Sequence, residues 1–160
     1  MPKIFLTTKI NAPIDRVFDL ARSIDMHKAT TYGTREEAIA GRTTGLIELN
    51  ETVTFRATHF GIRQTLTSQI IQMEKPFQFT DSMLKGVFKS LHHVHTFKEE
   101  KDRTLMTDDF DYTSPLGPLG KFADWLFLKN YLTKFLIKKN NGLKEIAESE
   151  EWKMILTPKG

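Results

Sequence analysis

The sequence predicts an α+β domain: one curved antiparallel sheet of about six or seven strands wrapped around a long C-terminal helix, with two short helices after the first strand. Three observations carry this. Pro115–Glu148 is the only long helical signal, and it comes last. What precedes it is an almost unbroken series of segments with strand character. The apolar sector of the helix is wider than sealing one sheet face requires, with Leu119, Phe122, Leu126 and Thr133 along one face and Trp125, Leu128, Leu132, Phe135 and Leu136 along the next. A sheet that curls around the helix, or a cavity against part of it, accounts for the excess.

Each element follows from its own pattern. Lys3–Ile10 alternates Ile4, Leu6, Thr8 and Ile10 against Lys3, Phe5, Thr7 and Lys9, a strand by period. Asn11-Ala12-Pro13 stops it, and proline suits a first helical turn. Ile14, Val17, Phe18 and Ala21 then fall at helical spacing. Ser23 or Asp25 is placed to cap a second short helix, Ile24–Thr30. Glu36–Ala40 is a short, weak strand, and the stretch from Gly45 to Asn50 is a turn. Glu51–Phe60 and Ile62–Met73 are long strands joined tightly at Gly61. Phe77–Leu84, Phe88–Glu99 and Thr104–Tyr112 complete a meander with hairpin-length connections.

At 160 residues the chain fits one domain, assigned to 1–148 with a tail at 149–160. No apolar run reaches the ~18 residues of a membrane span, and the N-terminus alternates like a strand instead of forming a signal-peptide core. The absence of cysteine excludes disulfides and thiolate chemistry and suits a cytoplasmic location. The 23 basic and 20 acidic residues leave a net charge of only +3. Much of that excess lies along the last helix at Lys121, Lys129, Lys134, Lys138, Lys139 and Lys144, a solvated side. No basic stripe interleaves with exposed aromatics, so nucleic acid is not an expected partner.

The alternation also says what faces inward. Val53, Phe55 and Ala57 are in phase with His59; Ile62, Leu66 and Ile70 with Gln64 and Ser68; Phe77, Phe79 and Met83 with Asp81. Leu91 and Phe97 share a face with His93 and His95, and Met106, Phe110 and Tyr112 with Asp108. Nearly every strand thus sets a polar group on its apolar face. A dry core rarely does so, because burying an unpartnered polar group costs about 1–3 kcal/mol. The phase depends on the absence of a one-residue slip at Gly61 or at Lys89-Ser90.

The order of elements, Ala12-Pro13 opening the first helix and the wide last helix resemble the START/SRPBCC superfamily, the helix-grip fold of the birch-pollen-allergen type. Four segments resemble a bacterial ligand-binding or cyclase/dehydrase-like subgroup: V-T-F-R-A-T-H-F-G-I-R-Q-T-L-T-S (53–68), G-V-F-K-S-L-H-H-V-H-T-F (86–97), T-L-M-T-D-D-F-D-Y (104–112) and P-L-G-P-L-G (115–120). The resemblance covers roughly 3–148. It implies a deep cavity between sheet and last helix that holds lipids, polyketides or other apolar molecules; some members are cyclases, and others assemble with partners. No cyclase's catalytic motif aligns residue by residue.

His93 and His95, two apart on a strand, project from one face about 6.5–7 Å apart. With His59 and Asp108 or Asp81 they match the donor types of a metal site. The preferred reading is that each histidine hydrogen-bonds a carboxylate or hydroxyl at the polar end of a cavity, and no metal or cofactor is expected. His92 is out of phase and faces solvent, as do Arg56 and Arg63. The expected function is binding of a hydrophobic small molecule with a polar end, without catalysis. Phe55, Ile62, Leu66, Phe79, Phe110, Tyr112, Trp125 and Leu128 are the expected apolar walls, and His59, His93, His95, Asp81 and Asp108 the expected polar end. The rivals are a cyclase/dehydratase-like enzyme using His/Asp acid–base groups, and a protein-interaction module with a vestigial pocket. The chain is expected to be a monomer or homodimer without stable membrane insertion.

Overall fold

A computed structural model describes residues 2–157. The chain runs β1 (Lys3–Ile10), α1 (Ile14–Ala21), α2 (Ile24–Thr30), a 3-10 turn (Tyr32–Thr34), β2 (Glu37–Gly41), β3 (Thr52–His59), β4 (Ile62–Glu74), β5 (Gln78–Lys85), β6 (Ser90–Glu100), β7 (Arg103–Thr113), α3 (Pro118–Ala123), a π-helical turn (Asp124–Leu128), α4 (Lys129–Glu148) and α5 (Trp152–Leu156). The seven strands form one antiparallel sheet in the order β1-β7-β6-β5-β4-β3-β2. Every neighbour in that order is joined in sequence except β1, which pairs with β7 from Lys3 opposite Asp111 to Ile10 opposite Thr104.

Neither slip that would have changed the phase occurs. Phe60 and Gly61 both have positive φ, +54° and +74°, the two-residue hairpin geometry that lets His59 pair directly with Ile62. The register shift that matters falls further along β4, between Ile70 and Gln72, where a bulge moves the inward face from Ile70 to Met73. Upstream of it Phe55 pairs with Leu66 and Val53 with Ser68, so both strands keep the predicted phase.

The two short helices cover one end of the sheet. Ile14, Val17, Phe18 and Leu20 of α1 are buried, and Ser23 caps α2 by accepting a hydrogen bond from the Met26 N–H at 3.1 Å. Asp25 instead accepts from the Gly45 N–H, tying α2 to the turn before β3. The apolar residues of these helices, with Ile10, Val53, Ile70, Phe79, Phe97, Met106, Leu143 and Ala147, form the main apolar cluster. A second cluster gathers Ile4, Leu91, Phe110, Tyr112, Leu132 and Leu136 at the other end. Helix α4 runs along both, and the sheet curves around it.

Two segments differ from the sequence expectation. The long helix begins at Pro118, not Pro115, because Leu116 and Gly117 have φ of +70° and +53° and cannot lie in a right-handed helix. The segment 149–160, expected as a tail, contains α5, which packs Trp152, Ile155 and Leu156 against the main cluster with the Arg16 guanidinium 4.1 Å over the Trp152 ring. Residues 158–160 lie outside those described.

Candidate functional site

A cavity of about 200 Å³ lies between the concave face of the sheet and α4. β3 gives it Val53, Phe55, Ala57 and His59; β4 gives Gln64, Leu66, Ser68 and Ile70; Phe79 and Asp81 come from β5, Leu91, His93 and His95 from β6, and Phe110 from β7. Leu132, Phe135, Leu136 and Lys139 of α4 close it. The spacing of two along each strand and of three or four along the helix is why these residues, and not their neighbours, meet there.

The polar centre is built by pairing across three strands. Asp81 lies opposite His93, and His95 opposite Asp108. His93 Nε2 is 2.7 Å from Asp108 Oδ1, and His95 Nε2 is 2.9 Å from Asp81 Oδ2. His95 Nδ1 also lies 3.4 Å from Asp108 Oδ1, so this imidazole is bracketed by two carboxylates. The two rings stack at 3.8 Å, with Phe79 stacked 4.2 Å beyond His95. Asn140 of α4 donates its amide N–H to the second Asp108 oxygen at 2.7 Å, which anchors the network to the helix.

This geometry sets the charges. Burial works against ionisation of Asp81, but the hydrogen bond from His95 and the two nearby imidazoles outweigh it and hold the carboxyl at about 2. Asp108 is held well below the usual range, its burial outweighed by its bonds to His93 and His95. For His95 burial would lower the pKa, yet bonds to Asp108 and Asp81 push it up. For His93 burial dominates, aided by the charge on His95, and its pKa falls. The two pKa values therefore move apart, with protonation favoured at His95 and disfavoured at His93.

A second polar pair escaped the sequence reading. His27 of α2 bonds Glu36, just before β2, and stacks on Phe55 at 4.3 Å; both line the cavity. Burial, then the charge of Lys139, lowers the His27 pKa; Glu36 is lowered because His27 outweighs the effect of its own burial. The available signal was phase: Glu36 is two residues before Ala38, which packs against the main cluster. Lys139 and Asn140 were hidden because a helix with this many lysines reads as a solvated face.

The remaining expected site residues fall as follows. Phe55, His59, Leu66, Phe79, Asp81, His93, His95 and Phe110 line the cavity. Asp108 lies one layer behind, 2 % exposed, holding the histidines. Tyr112 is fully buried in the second cluster with its hydroxyl toward Asp124; burial, joined by that carboxylate, raises its pKa. Leu128 packs on the same cluster, and neither of the two lines the cavity. Two residues are placed outside. Ile62 has the inward phase but sits at the hairpin tip beyond the cover of α4, 62 % exposed. Trp125 is 80 % exposed, because the π-helical turn carries it away from the sheet. His92 is exposed, as expected.

Among the described residues Asp81, His93 and His95 place donor atoms within 4.8 Å of one another. Three such donors match a metal in number, but each imidazole Nε2 is already bonded to a carboxylate, and His95 is engaged at both nitrogens. The donor set fits a proton-sharing network better than a ligand shell, since a metal needs free imidazole lone pairs.

No family model matches the sequence, and no curated protein is similar to it in sequence. Solved structures are similar along nearly the whole chain. One is the TTHA0849 protein of Thermus thermophilus, at TM-score 0.75 and 17 % identity over 91 % of this chain and 97 % of that one. Another is the major latex-like protein 151 of Panax ginseng, at TM-score 0.70 and 13 % identity over 92 % and 98 %. A third is the Ms6760 protein of Mycobacterium smegmatis, at TM-score 0.67 and 15 % identity over 90 % and 89 %. At these identities the likeness is one of fold. The chain shares with them the helix-grip fold, a curved antiparallel sheet around a long C-terminal helix.

Proposed function

We propose that the protein binds an apolar small molecule with a polar end in the cavity between the sheet and α4, without catalysis. The observation that carries this is the cavity itself: apolar walls from Val53, Phe55, Leu66, Leu91 and Phe110, with hydrogen-bonding groups gathered around His93, His95 and Lys139. Its volume is below the ~300–1,000 Å³ common for ligand pockets, so the occupant is small or α4 yields as it enters. A neutral hydroxyl or carbonyl suits the polar end best. The three carboxylates of Asp81, Asp108 and Glu36 outnumber Lys139 and His95 there even with His95 protonated, leaving no net attraction for an anion.

Native mass spectrometry of gently purified protein tests the reading. The expected result is an organic adduct, absent when Leu66→Trp fills the cavity. A bare chain mass from several growth conditions, together with no uptake of the apolar dye anilinonaphthalene sulfonate, would sink it.

One observation favours a second reading, acid–base catalysis of the cyclase/dehydratase kind. Two buried imidazoles stack on one another with their pKa values shifted in opposite directions, a pairing able to accept and return a proton. Turnover with a bell-shaped pH dependence, lost in both His93→Gln and His95→Gln, would place it first.

A further inference from the structure

Around the π-helical turn the molecule exposes aromatic and aliphatic side chains that its own core does not use. Leu119, Phe122, Trp125, Leu126 and Phe127 are all about half exposed or more. Across from them the β3–β4 hairpin tip presents Phe60, whose ring lies 5.6 Å from Phe127 and 4.4 Å from Tyr131. A monomeric soluble surface rarely leaves so many large apolar groups contiguous. The patch directly overlies the cavity wall: Tyr131 bonds His59, a lining residue, at 2.6 Å. Nearby, Phe88 of the β5–β6 loop packs in the same cluster as Leu128 and Tyr131, and half-exposed Val87 brings the cavity to the surface.

The charges around this lip say what covers it. From Pro118 to Tyr131 the chain carries two lysines, Lys121 and Lys129, and a single acid, Asp124. That acid is turned inward to the Ser114 hydroxyl. Exposed Lys121 and Lys129 stand one turn to either side of Trp125. A second copy on this patch about a two-fold axis would bring like-charged lysines against one another. An anionic lipid surface satisfies both parts, accepting aromatic side chains at the headgroup level and lysines at the phosphates.

We infer that the lip formed by the π-helical turn, α3 and the β3–β4 hairpin tip docks peripherally on anionic bilayers and seats the mouth of the cavity on the membrane. The contact is interfacial and reversible; no helix among the described residues is long and apolar enough to cross a membrane. The docking surface stands on its own residues, so its test needs no cavity ligand.

The experiment is flotation of the full chain with vesicles of phosphatidylcholine alone and of an equimolar mixture of phosphatidylcholine and phosphatidylserine, with Trp125 fluorescence read alongside. The wild-type protein is expected to float with the anionic vesicles and far less with the neutral ones. Its tryptophan emission should shift to the blue and be quenched by brominated acyl chains. Phe122→Ser with Trp125→Ser, and separately Lys121→Glu with Lys129→Glu, should each lower partitioning about tenfold or more; one lysine near such a surface contributes roughly fivefold. These positions are exposed, so circular dichroism and melting should stay unchanged. Absence of flotation with the anionic vesicles would overturn the inference, as would unchanged partitioning of the lysine double variant. So would a dimer in sedimentation that dissociates in the Phe122/Trp125 variant without any vesicle binding, which would assign the patch to self-association.

Discussion

Asp108 shows how one residue organises a site without lining it. Buried between strands and helix, it binds His93, leans on His95 and takes an N–H from Asn140. Removing that last donor leaves a buried carboxylate oxygen unpaired, so Asn140→Ala should destabilise the protein by about 1–3 kcal/mol in denaturant unfolding. Asn140→Asp, which sets a second carboxylate beside the first, should cost more. The same network gives stability a pH dependence with two signs. Asp81, depressed from 3.8 to about 2, contributes stability above the higher value that is lost as pH falls toward the lower. Wild-type stability should therefore fall more steeply across that window than in Asp81→Asn. His95 is raised above 6.5, so its contribution is complete below that value and disappears as pH rises through the folded pKa. The melting-temperature gap between wild type and His95→Gln should accordingly narrow as pH rises above 6.5. His93 opposes this trend, since its lowered pKa makes acid unfavourable to the fold from 6.5 downward.

At the scale of elements, the helices are placed by close approaches that only glycine permits. Gly142 lies within α4, where alanine would ordinarily stabilise by about 1 kcal/mol. A Cβ there would stand 2.9 Å from the Thr30 Cγ2 of α2, so the two helices would have to part. Gly142→Ala is expected to lower the melting temperature, and adding Thr30→Ser should recover most of the loss. At the start of α3, a Cβ on Gly120 would meet the Pro115 carbonyl oxygen at 2.0 Å. That contact is with backbone, which cannot step aside as a side chain can. Gly120→Ala should thus disturb the lip, seen as a changed Trp125 emission, while the histidine network persists.

For the whole molecule, the sheet is completed by a long-range pairing, β1 on β7, and α5 returns to cover α1. Trp152 is the half-buried keystone of that return, under the Arg16 guanidinium. Trp152→Ala should cost about 2 kcal/mol of global stability, less than a fully buried tryptophan, with cavity binding unchanged. Loss of dye uptake at equal folded fraction would instead mean that α5 supports the cavity.

Much of this was legible in the chain. The period of two in Lys3–Ile10, in Val53–His59 and in Leu91–Phe97 identified the strands and their inner faces. Ser23 announced α2, and the breadth of the last helix announced a sheet that wraps it. Periodicity is local chemistry, and it says which residues share a face. It does not say where that face ends or what stands opposite. Ile62 has the right phase and still lies outside, because only the length of α4 relative to the hairpin decides what is covered. Trp125 belongs to an apolar stripe and still faces solvent, because the π-helical turn carries it off the sheet. Glu36, Lys139 and Asn140 look like surface residues until the fold sets Glu36 against α2, Asn140 against β7 and Lys139 over the cavity. The phases came from the residues themselves, whereas the contacts that shift the pKa values of His93 and His95 in opposite directions, and leave an aromatic lip uncovered, exist only once distant segments meet.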